Sequence, residues 1–408
     1  MKNFILVTIL LQNLLFASFS ATILDKNTST PINNATISDS NSSVVSDKNG
    51  YFTINSPEHV LHVKACGYRP FKINSESNST LIKLEPLVVK ALYLSFWRAS
   101  NNSKKLKQLL EIIEKTEVNT IVVDVKNEYG STSYKTSFNQ ANSYGAHKNR
   151  TNRNIQKFMR LMKSKNIYTI ARIVTFKDEL QAINNQDYAI KKTDGTIWRN
   201  HDNMAWVDPF DKRSHEYTIS IAEEAAKVGF DEINFDYIRF PAKAGLILSK
   251  KNTQKNRLKA IDDFLDSAQK RLRKYGVFIS VDTYGNICWS KDDNNIGQTV
   301  KSLAAHADYL APMLYPSGFA SGSFYFKYPA EHPHAVIYRS IKNIQDRIDT
   351  KRVRPWLQHF KDYTSIKKEY KKFEIQEQIR ATEDTNTNGW MMWSPSSRYF
   401  MNYFIKKD

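Results

Sequence analysis

From residue 88 onward the chain alternates between short apolar runs and longer stretches with a helical pattern. The apolar runs are continuous rather than alternating, and many of their residues are β-branched. Such runs are typical of parallel strands that are buried on both faces. The pattern predicts eight strands, at Val89–Trp97, Asn119–Val125, Ile167–Val174, Glu232–Phe240, Val277–Thr283, Tyr309–Tyr315, Val353–His359 and Gly389–Trp393.

The stretches between these runs predict amphipathic helices. In 103–117 the apolar side chains share one helical face, and a second such face contains Ile261, Phe264, Leu265, Ala268 and Leu272. Eight repeats of strand and helix predict an α/β fold, a closed (β/α)8 TIM barrel, with a short last helix at about 396–407. The alternative is an open doubly wound sheet, which needs a Gly-rich phosphate turn after its first strand. Ser95-Phe96-Trp97-Arg98 offers no such turn.

Residues 22–87 have a different pattern. They are rich in Asn, Ser and Thr, and their short runs alternate between apolar and polar positions, as in Tyr51-Phe52-Thr53-Ile54. Turn residues separate the runs, notably Asp47-Lys48-Asn49-Gly50. Short alternating strands at this spacing predict a small all-β sandwich. We therefore expect a separate N-terminal domain at 22–87 and the barrel at 88–408.

Residues 1–21 have the pattern of a secretory signal peptide. Lys2 precedes an apolar run from Phe4 to Phe16, and small residues follow it. The run is shorter than the roughly 20 residues that span a bilayer. The sequence thus predicts an exported protein, periplasmic or extracellular, with no stable membrane span after cleavage. A retained anchor or a buried first strand is the alternative interpretation.

Composition narrows the class of protein. Hydrophobic residues make up 41% of the 408 residues and charged residues 25%, which is typical of a globular protein. Two cysteines exclude a disulfide scaffold, a four-cysteine zinc site and an iron–sulfur cluster. The formal net charge is +18, and the excess lies from residue 88 onward because six acids balance six bases in 22–87. Two interpretations of this charge are open: the basic residues lie on solvated helix faces, or they attract an acidic polymer.

Carboxylates and aromatic residues follow several of the predicted strands. The carboxyl ends of barrel strands carry the active site in this fold. The candidates at these ends are Trp97, Asp124, Glu128, Asp236, Arg239, Asp282, Tyr284, Tyr315 and Trp393, with Asp208 in a loop before the fourth strand.

This set of residues suits the cleavage of glycosidic bonds. That reaction uses two carboxyl groups, and flat aromatic rings can stack on sugars. A metal site finds little support, since the nine histidines show no His-x-x-x-His or His-x-His spacing other than His332-x-His334, which lies in a Pro-containing loop. There is also no Gly-x-Ser-x-Gly elbow for a nucleophilic serine. We expect no metal and no cofactor.

Five stretches at these strand ends resemble a known family, the putative glycoside hydrolase domain of bacterial exported proteins. They are Val122–Gly130, Trp206–Phe210, Gly229–Pro241, Ser280–Gly285 and Ala311–Ser317. The resemblance spans nearly all of 88–400. It implies a (β/α)8 barrel related to those of amylases and α-galactosidases and a carbohydrate-active hydrolase. In residues 22–87, three stretches resemble the carboxypeptidase regulatory-like domain, which implies a non-catalytic accessory module: Pro31–Ala35, Asp47–Phe52 and Val63–Tyr68.

Asp236 and Asp282 are the predicted catalytic residues. The position of Asp236 resembles that of the fourth-strand nucleophile in amylase-type barrels, and relatives often have an acid where Asp282 ends the fifth strand. A structural pair of Asp236 with Arg239 is the alternative. We expect Arg239 and Asp124 to adjust the charges of the pair, and Glu128 to be a reserve acid. Substrate contacts are expected from Trp97, Asp208, Tyr284, Tyr315 and Trp393, although a loop-stabilising role for Asp208 is equally compatible with its position.

The sequence therefore predicts an exported hydrolase of polysaccharides or oligosaccharides. The rival hypothesis is a catalytically silent glycan-binding or envelope-scaffolding protein, and a third is a polysaccharide deacetylase or lyase. The partner is expected to be a carbohydrate, with an acidic glycan as one option. Nucleic acid is not expected, because the chain lacks a stripe of interleaved basic and aromatic residues.

Overall fold

The N-terminal domain is a small sandwich of two β-sheets. In the computed structural model, which describes residues 18–77, 79–100 and 103–407, one sheet has the order β4-β1-β7 and the other β3-β2-β5-β6. Alternate side chains of both sheets, such as Ile23, Ile37 and Leu61, form one apolar core. The strands are β1 (Ser18–Asp25), β2 (Thr36–Ser38), β3 (Ser43–Val45), β4 (Tyr51–Asn55), β5 (Val60–Lys64), β6 (Phe71–Asn74) and β7 (Leu81–Leu84).

The second domain is a closed barrel of eight parallel strands. They follow chain order around the barrel, and the last strand pairs with the first. All eight predicted strands and the predicted fold class are confirmed. The strands are β8 (Val89–Leu94), β9 (Thr120–Lys126), β10 (Tyr168–Val174), β11 (Glu232–Asp236), β12 (Phe278–Tyr284), β13 (Tyr309–Met313), β14 (Trp356–Gln358) and β15 (Gly389–Trp393).

Helices surround the barrel and cover its outer face with apolar side chains. The face of 103–117 predicted from sequence is buried, as is that of the helix containing Phe264. The helices are α1 (Lys104–Lys115), α2 (Asn139–Ser143), α3 (Ile155–Ser164), α4 (Glu179–Asn184), α5 (Lys212–Val228), α6 (Gln254–Leu272), α7 (Val300–His306), α8 (Pro333–Lys342) and α9 (Lys372–Asp384).

The two ends of the chain relate differently to the sequence-based expectation. The predicted last helix is wrong: 396–407 contains only the 3-10 turn Met401–Tyr403. Its backbone bonds instead to the end of α1, through Glu117 and Lys115. The expected signal peptide falls on residues 1–17, which lie outside the described residues, and on Ser18–Ala21 of β1.

No helix in the described ranges has both the length and the apolar character needed to cross a bilayer.

The floor of the barrel is closed by a buried ion pair. Glu232, at the start of β11, accepts two hydrogen bonds from the Arg354 guanidinium at 2.8 and 2.9 Å. The Tyr168 hydroxyl also donates to Glu232, at 3.0 Å. Glu232 is thus structural, as its place at the start of a strand predicts.

The sandwich packs against this floor. Lys64 forms an ion pair with Asp308 at 2.6 Å, and the amide of Gly67 donates to the Tyr309 hydroxyl at 2.8 Å. Asn388, in the loop before β15, donates to the Leu87 carbonyl at 3.0 Å. The N-terminal domain therefore lies at the end of the barrel opposite to the carboxyl ends of its strands.

Candidate active site

Four charged side chains meet inside the barrel at the carboxyl ends of neighbouring strands. Asp124 comes from β9, Arg172 from β10, Asp236 from the end of β11 and Asp282 from β12. All four are buried. Side chains alternate across a strand, so these positions point inward while their neighbours face the helices. The structure thus brings together the two predicted catalytic carboxyl groups and Asp124.

Arg172 joins two of these carboxylates. Its Nη1 donates to Asp124 Oδ1 at 2.6 Å, and its Nε donates to Asp236 Oδ2 at 3.0 Å. The Nη2 of the same guanidinium also bonds to Asp236 Oδ2. A planar guanidinium with several fixed donors suits such a double pair. Arg172 therefore stabilises the negative charge of Asp236, the role that the sequence analysis gave to Arg239.

Asp282 has a different environment. Its Oδ1 accepts hydrogen bonds from Asn234 Nδ2 at 2.8 Å and from Trp356 Nε1 at 2.6 Å. Both donors are neutral, and among the described residues no ion pair reaches this carboxyl group. Burial, together with the negative charge of Asp236, raises the pKa of Asp282 well above its usual value. The side chain therefore holds its proton to a higher pH than an ordinary aspartate does.

The backbone turns sharply directly after Asp236. Tyr237 has a φ of 49°, in the left-handed region that a bulky residue seldom adopts. This conformation lets the Tyr237 amide donate to Asp236 Oδ1 at 2.6 Å. Both oxygens of Asp236 are thus held, one by Arg172 and the other by the backbone. Local strain of this kind concentrates at functional sites because the surrounding structure must maintain it.

Arg239 lies beside the site without pairing with Asp236. Its guanidinium stacks over the rings of Trp206 and Tyr237, at 5.1 and 5.4 Å from their centroids. Its hydrogen bond goes to the Phe240 carbonyl at 3.0 Å. The structure does not contain the alternative pair of Asp236 with Arg239, because Arg172 on the neighbouring strand binds this carboxylate. Arg239 remains a candidate for substrate contact.

Two aromatic rings from neighbouring strands lie against the charged cluster. The ring of Tyr93, on β8, stacks on that of Trp393, on β15, with centroids 4.0 Å apart. The Tyr93 hydroxyl bonds to Asp124, and the Arg172 guanidinium lies 5.0 Å from the Trp393 ring centroid. Burial raises the pKa of Asp124, in opposition to the effect of Arg172. Trp393 thus lies next to the charged cluster, and its contact with substrate stays a prediction.

Tyr315 also lies close to the carboxyl pair. Burial raises the pKa of its hydroxyl, and the charges of Asp282 and Asp236 raise it further. Such an effect requires proximity to both carboxyl groups. The rings of Trp97 and Tyr284 are exposed further out on the rim.

The other two predicted acids lie outside the cluster. Asp208 is buried in a loop, where its Oδ1 accepts from the Phe210 amide at 2.9 Å and its Oδ2 from the Ser249 amide at 2.6 Å. These contacts favour the loop-stabilising interpretation of Asp208. Glu128 is half-buried beyond the end of β9, and its charge contributes to the raised pKa of Asp124. Over the described ranges, no three His, Cys, Asp or Glu side chains are grouped to hold a metal ion.

Four residues of the site are not among those predicted from the sequence: Tyr93, Arg172, Asn234 and Trp356. Arg172 carries a usable signal, because it is the one charged residue in the otherwise uncharged strand Tyr168–Val174. A buried charge needs a partner, so a lone arginine in such a run predicts a carboxylate on an adjacent strand. Asn234 and Trp356 carry no such signal, since only the register of the barrel shows that both reach Asp282.

The fold is similar to two solved glycosidases. The PgaB (BpsB) glycoside hydrolase domain from Bordetella bronchiseptica has a TM-score of 0.54 and 11% identity, over 76% of this chain and 95% of that chain. The α-L-fucosidase isoenzyme 2 from Paenibacillus thiaminolyticus has a TM-score of 0.51 and 11% identity, over 78% of this chain and 48% of that chain. At this identity the likeness concerns the fold alone.

A nearer match in sequence is a hypothetical protein from Ruminiclostridium thermocellum ATCC 27405. It is 33% identical over 47% of this chain and 96% of its own length, with a TM-score of 0.42. No curated protein matches the chain.

The sequence model of one family matches most of the chain. This family is described as "Putative glycosyl hydrolase domain", and its model matches residues 91–399. The matched span begins within β8 and ends beyond β15, so it contains Asp124, Arg172, Asp236 and Asp282. The chain therefore belongs to the putative glycosyl hydrolase domain family.

Proposed function

We propose that this protein hydrolyses glycosidic bonds, with Asp282 as the acid/base and Asp236 as the ionised partner. The observation that carries the proposal is the contrast between the two carboxyl groups. Asp236 is bound by a guanidinium, whereas Asp282 is bound only by neutral donors beside that negative charge. Two neighbouring carboxyl groups with separated proton affinities are what acid-assisted glycosidic cleavage requires.

In the proposed reaction Asp282 donates its proton to the glycosidic oxygen as the bond to the anomeric carbon breaks. Its Oδ1 is occupied by Asn234 and Trp356, which leaves Oδ2 to carry the proton. Positive charge develops on the sugar ring, and Asp236 either attacks the anomeric carbon or stabilises that charge. Water then attacks the anomeric carbon and gives a proton to Asp282, and this attack breaks any bond between that carbon and Asp236 and completes the hydrolysis.

Asp124 is a positioning residue in this proposal. It binds Arg172 on the side opposite to Asp236 and is held in turn by Tyr93. The pair fixes the guanidinium plane, so that the Nε and Nη2 donors face Asp236. Trp393 and Tyr315, next to the same cluster, supply surfaces on which a sugar ring can stack.

Export and the role of the sandwich are further parts of the proposal. The support for export is the pattern of residues 1–21, and the support for an accessory role is the resemblance of 22–87 to the carboxypeptidase regulatory-like domain. The sandwich packs on the floor of the barrel, away from Asp236 and Asp282. We propose that it stabilises or positions the barrel and takes no part in the chemistry.

The charges at the mouth of the barrel give less support to the hypothesis of an acidic glycan as substrate. Two basic residues at the carboxyl ends of strands are paired: Lys126 forms a buried ion pair with Asp178 at 2.8 Å and Lys177 pairs with Asp202 at 2.9 Å. Their charges are compensated within the protein. We therefore propose a carbohydrate substrate without a requirement for acidic groups.

The test is the release of reducing ends from a panel of soluble polysaccharides. The panel contains xylan, glycol chitin, chitosan, dextran, alginate and hyaluronate, and it is incubated with the wild type, Asp236→Asn and Asp282→Asn. An amide keeps the shape but loses the charge and the proton, so we expect each variant to lose about 10²–10⁴-fold in turnover.

Asp231→Asn is the matched control, because Asp231 lies just before β11, at the opposite end of the strand that ends in Asp236. We expect near-normal turnover from this variant. Binding without hydrolysis by the wild type would favour the glycan-binding hypothesis, and near-normal turnover in a folded Asp236→Asn or Asp282→Asn variant would refute the assigned roles.

A further inference from the structure

Exposed aromatic residues line a cavity on one side of the barrel mouth. Trp97, in the turn after β8, is 60% exposed, and Tyr129, in the loop after β9, is 46% exposed. Together with the polar side chains of Asn127, Ser131 and Glu179 they line a cavity of about 360 Å³. Such a cavity is complementary to a pyranose ring. The C–H face of the sugar can pack on the flat aromatic rings, and its hydroxyl edge can bond to the polar side chains.

A second cavity with the same character lies among other loops of the mouth. Tyr284, at the end of β12, is 45% exposed, and Tyr363, in the loop after β14, is 60% exposed. They line a cavity of about 110 Å³ with Met313 and Tyr315.

Aromatic rings connect this second cavity to the carboxyl pair. The ring of Tyr315 contacts that of Phe360 edge-on, with centroids 5.4 Å apart. The ring of Phe360 is nearly parallel to that of Tyr363, at an interplanar angle of 5°. Tyr315 follows β13, the strand that pairs with β12 and its Asp282, so the row extends from the side of the reacting centre toward the rim.

The order of strands around the barrel puts the two cavities on opposite sides of the mouth. The first is formed by loops after β8, β9 and β10, and the second by loops after β12, β13 and β14. In a ring of eight strands, β9 and β13 are four positions apart and thus face each other. Asp124, Arg172, Asp236 and Asp282 come from strands β9 to β12, which lie along the path between the two cavities.

We propose that the two cavities are the two ends of one substrate cleft, and that the enzyme cuts within a polysaccharide chain rather than removing single sugars from its end. The proposal rests on the proposed glycosidase function and extends it to the substrate class. A chain that crosses the mouth has sugars bound on both sides of the bond that is cut. An enzyme that removes terminal sugars needs a binding surface chiefly on one side.

The first experiment measures binding separately from cleavage. The full-length Asp236→Asn protein is run in native gels cast with glycol chitin, chitosan, xylan, dextran, alginate or hyaluronate, with Asp282→Asn as a second inactive background. We expect at least one of these polysaccharides to retard the protein. Adding Trp97→Ala or Tyr363→Ala should each weaken the retardation about three- to tenfold, since each removes a stacking surface.

Phe373→Ala is the matched control for these variants. Phe373 is 68% exposed on α9, outside both cavities, so its loss should leave the retardation unchanged. Retardation by none of the polysaccharides, or a loss confined to one of the two cavities, would overturn the proposal of a two-sided cleft.

The second experiment compares the fall in viscosity of the retarding polysaccharide with the release of reducing ends by the wild type. Cleavage within the chain lowers viscosity early, when few reducing ends have formed, and this is the result expected. Hydrolysis with a slow fall in viscosity would overturn the cleft but leave the glycosidase function standing. Binding without any new reducing ends would leave the cleft and overturn the glycosidase function.

Discussion

At the scale of single residues, two chemically identical carboxyl groups differ because their partners differ. Asp236 accepts bonds from a guanidinium and a backbone amide, whereas Asp282 accepts bonds from an amide side chain and an indole. The pKa of Asp282 is raised by burial and by the neighbouring negative charge. The division of roles that we propose for the two groups thus follows from their neighbours rather than from residue type.

The indole of Trp356 provides a test of this assignment. Its hydrogen bond favours the ionised form of Asp282, so Trp356→Phe should raise the pKa of Asp282 further. Activity requires protonated Asp282 and falls as pH rises through this pKa. The alkaline limb of kcat/KM against pH should therefore move to higher pH in the variant.

Trp390→Phe controls for the loss of indole volume. Trp390 is fully buried, and its Nε1 has no hydrogen-bond partner within the described structure. This variant should be destabilised to a similar extent, measured by Tm, with an unmoved alkaline limb. An alkaline limb that stays in place or moves to lower pH in Trp356→Phe would contradict the assigned role of Asp282.

At the scale of elements, the strands carry two buried arginine–carboxylate groups at opposite ends of the barrel. Arg172 and its two aspartates lie at the mouth, and Arg354 with Glu232 lies at the floor. Both groups are buried away from water. Both therefore favour a single arrangement of the strands, because an arrangement that separated either arginine from its carboxylates would leave a buried charge unpaired. Only the group at the mouth adjoins the proposed reacting centre.

Substitutions at these two arginines distinguish an effect on stability from an effect on catalysis. Arg172→Lys and Arg354→Lys each keep the charge but lose the planar set of donors, so each should lower the free energy of unfolding by about 1.5–3 kcal/mol. Arg172→Lys should also lower kcat by about tenfold or more, because the fixed donors to Asp236 are lost. At a temperature where both variants are folded, Arg354→Lys should retain its kcat. Equal kcat values in the two variants would remove Arg172 from the catalytic machinery.

How far the elements follow from sequence depends on how local their causes are. Each barrel strand was identifiable because its apolar run is buried on both faces. The strand predicted at Val353–His359 is observed only at Trp356–Gln358, since Pro312 and Pro355 supply no backbone donors and β13 pairs with β14 at a single position. The last segment fails as a helix because its backbone bonds to the distant end of α1.

The residues of the candidate site likewise divide into those that a local sequence signal predicts and those that depend on distant parts of the chain. Asp124, Asp236 and Asp282 were predictable because each ends a strand in a fold whose strand ends carry chemistry. The partner of Asp236 was not predictable. Arg239 is near Asp236 in sequence and Arg172 is on the neighbouring strand, and only the register of β10 and β11 shows that Arg172 reaches it. Asn234 and Trp356 are ordinary core residues until their positions around the barrel are known.

At the scale of the whole molecule, the sandwich and the proposed active site lie at opposite ends of the barrel. The contacts of Lys64, Gly67 and Leu87 with the barrel all lie at its floor. Removing the sandwich exposes this floor, including Tyr309, but alters nothing at the mouth.

A protein beginning at Val88 should therefore have a lower Tm than the full chain but the same kcat/KM for a soluble oligosaccharide. Thermal unfolding followed by circular dichroism gives the Tm, and initial rates give kcat/KM. Loss of activity in a truncated protein that is folded would show that the sandwich completes the site.

The net charge of +18 should have no part in the choice of substrate. Lys126 and Lys177 are paired with carboxylates within the mouth, so neither adds uncompensated positive charge there. Lowering the salt concentration should change kcat/KM equally for a neutral and an acidic oligosaccharide. A selective gain for the acidic one at low salt, fading as the screening length falls to about 8 Å near physiological salt, would contradict this expectation.

The most direct test of the central claim is the dependence of the two aspartate variants on the leaving group. The rates of Asp282→Ala and Asp236→Ala are measured on an oligosaccharide that the wild type cleaves and on its dinitrophenyl glycoside, whose leaving group departs without a proton. We expect Asp282→Ala to lose most of its activity on the oligosaccharide but little of bond cleavage on the aryl glycoside, because only the first needs an acid. Asp236→Ala should lose activity on both. Equal losses on the two substrates in Asp282→Ala would contradict the assignment of Asp282 as the proton donor.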